Sequence, residues 1–69
     1  MTAKELWEKY GGDADWDAYD YPDSYTAECN ISLTIGGYTF EGWGMICCGE
    51  KEIQELYCTA PNGTEIKIV

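Results

Sequence analysis

Residues 26–35, TAECNISLTI, alternate apolar and polar side chains and run directly into Gly36-Gly37. No other feature restricts the possible folds of this chain as strongly. A period of two marks a strand with one buried face, and adjacent glycines suit a two-residue hairpin loop whose central residues both need positive φ. Folding the chain back at Gly36-Gly37 sets Ile35 opposite Tyr38, Leu33 opposite Phe40, Ile31 opposite Gly42 and Ala27 opposite Ile46. Every pair is apolar or glycine. The other face of that register pairs Thr34 with Thr39, Ser32 with Glu41, Asn30 with Trp43 and Glu28 with Met45. Turn chemistry and face pattern agree on one register, because a slip of one residue would turn every apolar side chain to the wrong face.

Asn62-Gly63 is a second hairpin signal, and a two-residue loop there sets Tyr57 opposite Ile68 and Thr59 opposite Ile66, with Pro61 at the strand end. Gly49-Glu50-Lys51 marks the turn between the two hairpins and leaves the register of the third strand open. At the N-terminus, Thr2 followed by Glu5 has capping-box spacing. Ala3, Leu6, Trp7 and Tyr10 then recur at helical intervals up to Gly11-Gly12. The expected fold is α+β: a short helix over about residues 2–10, an acidic loop or short second helix over 13–20, then a four-stranded antiparallel β-meander. The 69 residues make one domain. A sheet this small needs a cover, and the helix is expected to supply it over Trp43 and Met45, the alternative being that these two extend a binding patch.

Charge narrows the functional classes. Four Lys against thirteen Asp plus Glu leave a net charge of −9. Between Lys9 and Lys51 there is no cation, while Asp13, Asp15, Asp17, Asp20, Asp23, Glu28, Glu41 and Glu50 fall in that stretch. Direct binding to nucleic acid or an anionic membrane is disfavoured, since both demand Lys and Arg. No apolar run has the length of a membrane span, and residues 1–10 lack the layout of a secretion signal. The expectation is a soluble cytoplasmic protein whose cysteines stay reduced.

Chemistry-bearing motifs are sparse. The chain has no His, and no base is placed beside a nucleophile, so neither an enzyme nor a cofactor is expected. Asp13, Asp15 and Asp17 resemble the opening of a calcium loop, but Ala18 and Ser24 stand where that loop needs Gly and Glu. Cys29, Cys47, Cys48 and Cys58 lack paired zinc spacing, and neighbours such as Cys47 and Cys48 point to opposite faces of a strand. Cys29 and Cys48 read as small buried hydrophobes, and a Cys47–Cys58 bridge depends on the third-strand register.

The acidic–aromatic segment remains. Alternation after Thr26 turns most of that part of the chain inward and leaves only Glu28, Glu41 and Glu50 to solvent, so the functional charge contracts to residues 13–23. The expected partner-binding residues are Asp13, Asp15, Asp17, Asp20 and Asp23 as charged contacts, with Trp16, Tyr19 and Tyr21 as anchors of the types that dominate protein interfaces. In size and charge the chain resembles small acidic phage inhibitors of restriction and CRISPR enzymes. The likeness is one of composition and general organisation, and it assigns no residue. It implies a DNA-mimic-like protein that occludes the basic surface of a nucleic-acid-binding protein or nuclease complex. The alternatives are a calcium-binding or purely structural module, and a homodimer formed through an edge strand at residues 64–69.

Overall fold

The structure, a computed structural model, describes residues 2–69. Helix α1 (Ala3–Tyr10) leads through a 3-10 turn (Gly11–Asp13) into strands β1 (Asp15–Asp23), β2 (Thr26–Ile35), β3 (Tyr38–Cys47), β4 (Glu50–Thr59) and β5 (Glu65–Lys67). The strands form one antiparallel sheet in chain order, so the meander has five strands rather than four. The β2–β3 register is the one expected from the sequence, from Ile35 opposite Tyr38 to Ala27 opposite Ile46. Gly36 and Gly37 take φ values of 55° and 84°, the sign a type I′ turn needs at both central positions.

The extra strand is the segment expected to be a loop or short helix. Asp is a poor strand former, and residues 13–20 carry little local preference for extension. Pairing with the exposed edge of β2 overrides this, because Trp16 and Ala18 then fall opposite Ile31 and Cys29 on the apolar face. Asp15 and Asp17 are thereby turned the other way. Register shifts after Ala18 and after Asp20 break the alternation, and Pro22 sits on this edge strand, where a missing N–H costs no ladder bond.

The last hairpin is shifted by one residue from the expected register: Tyr57 faces Lys67, Cys58 faces Ile66 and Thr59 faces Glu65. Pro61 is the cause. In a two-residue loop Pro61 would have to donate an N–H it does not have, whereas at the second position of a type I turn its fixed φ is ideal. Gly63 N–H donates to the Ala60 carbonyl at 2.9 Å and Ala60 N–H to Thr64 at 2.8 Å. The loop is therefore residues 61–63, with Gly63 at φ 89°. The slip brings Ile66 onto the apolar face with Cys58.

Strand β4, expected from the sequence as the third strand, begins after a two-residue turn at Cys48-Gly49, and a bulge at Gln54 shifts its register against β3 between Trp43 and Gly44. Cys47 pairs with Glu50 and Cys58 with Phe40, which places those two cysteines far apart on the ladder; all four cysteines are free. Cys29 is buried as expected, but Cys48, at the turn, is exposed.

Helix α1 carries the expected capping box: Thr2 Oγ1 accepts from Glu5 N–H at 3.2 Å, and Glu5 Oε1 accepts from Thr2 N–H at 3.1 Å. Its Trp7 ring lies 5.4 Å from that of Phe40. Ala3, Ile31, Phe40, Leu56 and Cys58 form the buried cluster, with Leu6, Trp7, Leu33 and Ile68 packed around it. Burying one side chain the size of Phe40 or Leu56 contributes roughly 1.5–3 kcal/mol, so a handful of residues supplies much of the driving force. The helix thus covers the Phe40 face of the sheet, not the Trp43 and Met45 face expected of it. With one helix available, the face carrying Ile31, Leu33, Phe40 and Leu56 wins, because it has the most apolar area to remove from water.

Candidate functional site

Among the described residues, no element packs over the face of the sheet opposite α1. Cross-strand neighbours share a face, so the pairings define its rows directly. Asp17, Asn30, Trp43 and Glu55 make a central row across β1 to β4. On one side runs the row Asp15, Ser32, Glu41, Tyr57, Lys67, and on the other Asp20, Glu28, Met45, Glu52. Seven carboxylates share these three rows with one cation, Lys67, which lies at the β5 edge. The carboxylates therefore do form one face, but it spans four strands and is not confined to residues 13–23.

Trp43 sits half-buried in the middle of this face with Met45 beside it. Between the Trp43 row and the Glu41 row lies a shallow groove of about 430 Å³, walled by Asn30, Ser32, Glu41, Glu55 and Tyr57. Ile31 and Gly42 complete its lining. Gly42 allows β4 to approach closely: a Cβ there would collide with the Glu55 carbonyl oxygen and lie 2.8 Å from the Leu56 Cα.

The expected site residues divide. Asp15 and Asp17 are exposed on the open face, and Asp13 is exposed in the 3-10 turn beside it. Asp20 Oδ1 accepts from Tyr21 N–H at 2.9 Å and Asp23 Oδ1 from Tyr25 N–H at 2.8 Å, so both shape the end of the first hairpin as well as charging it. Tyr21 and Tyr25 are highly exposed there, and Tyr19 about half so. Partial desolvation, followed by the negative charges of Glu28 and Asp20, pushes the Tyr19 hydroxyl above its ordinary pKa.

Trp16 is the exception. It points to the helix side, where its indole lies against Gly44 and under the Lys51 ammonium, 5.2 Å from the ring centroid. Lys9 lies 5.3 Å over the Tyr10 ring in the same manner. Two of the four lysines are thus drawn to aromatic rings away from the open face, which sharpens its negative character.

The sequence pairs Trp43, Glu41 and Met45 correctly with β2 and leaves Glu41 to solvent, but it favours the helix over a binding patch as the cover for Trp43 and Met45. The signal that would have corrected this was in the pairs themselves, since the Phe40 side of the hairpin is by far the more apolar. Asp13, Asp15 and Asp17 lie along a turn and an extended strand rather than a loop curled round an ion, and among the described residues no three His, Cys, Asp or Glu side chains converge as a metal site. No helix among the described residues is long and apolar enough to cross a membrane. Compared with known protein families, with curated proteins and with solved structures, the chain matches none.

Proposed function

We propose that this chain is a non-enzymatic binding protein that occludes a basic nucleic-acid-binding surface of a partner, a nucleic-acid-binding protein or nuclease complex, with the open sheet face as its contact surface. The observation that carries this reading is the uncovered face itself: seven carboxylates in three rows around one half-buried Trp43. Neighbouring strands lie about 4.8 Å apart and same-face residues along a strand about 6.7 Å apart. The result is a sheet of negative charge that a groove lined by Lys and Arg complements. Trp43 and Tyr57 supply the rigid aromatic area that interface centres favour, and the carboxylates supply steering. Asp15 and Asp17 keep the charged role expected from the sequence, Tyr19 and Tyr21 extend the surface at the hairpin end, and the anchor role passes from Trp16 to Trp43.

The test is capture of partners from a bacterial lysate on the immobilised protein, followed by elution with duplex DNA. A partner of the proposed kind is displaced by DNA, associates at least tenfold more slowly as salt rises, and is lost by the Asp17→Lys, Glu55→Lys double variant while a Glu8→Lys control on α1 retains it. Captured proteins that DNA does not displace, or that bind the double variant equally well, overturn the proposal.

A further inference from the structure

The hairpin tip joining β3 to β4 carries a second chemistry that the acidic face does not use. On a regular strand Cys47 and Cys48 would point to opposite faces and could not share a ligand. Cys48 is the first residue of the turn and adopts φ 55°, the only non-glycine positive φ among the described residues. That turn takes Cys48 out of the strand alternation and brings its Sγ within 3.8 Å of the Cys47 Sγ. Both side chains are exposed. They line a groove of about 420 Å³ together with Met45, Glu50, Lys51 and Glu52.

We infer that this tip is a binding site for a soft, thiophilic cation, with copper(I) as the ion whose preferences it fits. Two metal–sulfur bonds of about 2.3 Å span a separation of 3.8 Å at an angle of about 110°. The two sulfurs therefore stand where adjacent ligands of one trigonal or tetrahedral ion stand, with little movement required. The third donor selects the ion. No three His, Cys, Asp or Glu side chains converge among the described residues, and Met45, whose thioether is a soft donor, lines the same groove as the two cysteines. Thiolate with thioether is the combination that copper(I) prefers. Glu50 and Glu52 add negative charge at the entrance without being required as ligands. Binding converts two S–H groups to thiolates, forms two copper–sulfur bonds and releases two protons to solvent, with no change of oxidation state.

The experiment is an anaerobic titration of the reduced full-length chain with copper(I) against a chromogenic copper(I) chelator, run in parallel with zinc(II). One copper(I) per chain is expected. Cys47→Ser and Cys48→Ser should each weaken retention at least tenfold, and Met45→Leu should weaken it several-fold. In the unaltered protein the ion should shield Cys47 and Cys48 from alkylation by a maleimide, read by peptide mass spectrometry; this keeps the test decisive should a variant misfold. Cys29 and Cys58 are fully buried and give little background. The inference is overturned if the chelator strips the unaltered protein as readily as the Cys47→Ser variant, if alkylation at the tip is unchanged by copper(I), or if zinc(II) is held more tightly.

Discussion

The indole of Trp16 occupies the space that a side chain on Gly44 would need: a Cβ built at Gly44 falls 2.8 Å from the ring and 2.5 Å from the carbonyl oxygen of Glu52. Gly44 is itself buried in β3, and β4 lies close to it beside the register shift at Gln54. This contact fixes the inward direction of Trp16 and, through it, the outward direction of Asp15 and Asp17. Gly44→Ala must displace both a ring and a backbone oxygen, and should destabilise the protein by about 1–3 kcal/mol, the usual cost of overpacking. Urea unfolding followed by tryptophan fluorescence measures it. An unchanged midpoint would show that β1 is not held by this contact.

The two faces of β3 should respond very differently to truncation. Phe40 is fully buried under Trp7, and Phe40→Ala should cost about 3–5 kcal/mol, a large share of the total stability of a small domain. Trp43, on the open face, loses cross-strand contacts to Asn30 and Glu55 worth roughly 0.2–1 kcal/mol each. Comparable losses for the two variants, measured by denaturant titration, would mean that something does cover the Trp43 face.

Helix α1 depends on its capping box. Thr2→Ala should cost about 1 kcal/mol. The Thr2 backbone N–H, and secondarily its hydroxyl, holds the Glu5 carboxyl below its ordinary pKa. A depressed folded-state pKa means that the unfolded chain takes up the proton first on acidification. The contribution of Glu5 is therefore complete above its unfolded pKa and disappears as pH falls through its folded pKa. The stability difference between the unaltered protein and Glu5→Gln should be present at neutral pH and vanish in acid, followed by circular dichroism. A difference that persists unchanged in acid contradicts this assignment.

Cys48 is a β-carbon residue at a left-handed position that Asn or Gly prefers in a type I′ turn. Cys48→Asn should raise stability by several tenths to about 1 kcal/mol in metal-free buffer. A loss of stability would indicate that the Cys47–Cys48 contact outweighs the backbone strain.

Repulsion among clustered carboxylates should make the fold salt-sensitive. Raising ionic strength from about 0.01 M to 1 M shortens the Debye length from about 30 Å to 3 Å, and Tm should climb across that range. Asp17→Lys should flatten the climb. A Tm that falls with sodium chloride would argue that attractive pairs dominate the surface.

The amino-acid sequence by itself determined the central hairpin, its register, the capped helix and the sign of the charge. Each rests on interactions between near neighbours or on a repeat that one turn transmits along two strands. The β2–β3 pairings come out residue for residue because Gly36-Gly37 and the period of two constrain the same register. Only the tertiary structure decided the rest. β1 exists because the edge of β2 offers backbone partners and an apolar slot for Trp16, an attraction that a local reading of an Asp-rich segment does not contain. The last hairpin slipped one residue because Pro61 chose among turns. The Cys48 thiol met Cys47 because a positive φ removed it from the strand alternation. The exposure of Trp43 and the carboxylates followed from a competition: two sheet faces, one eight-residue helix, and the more apolar face taking it.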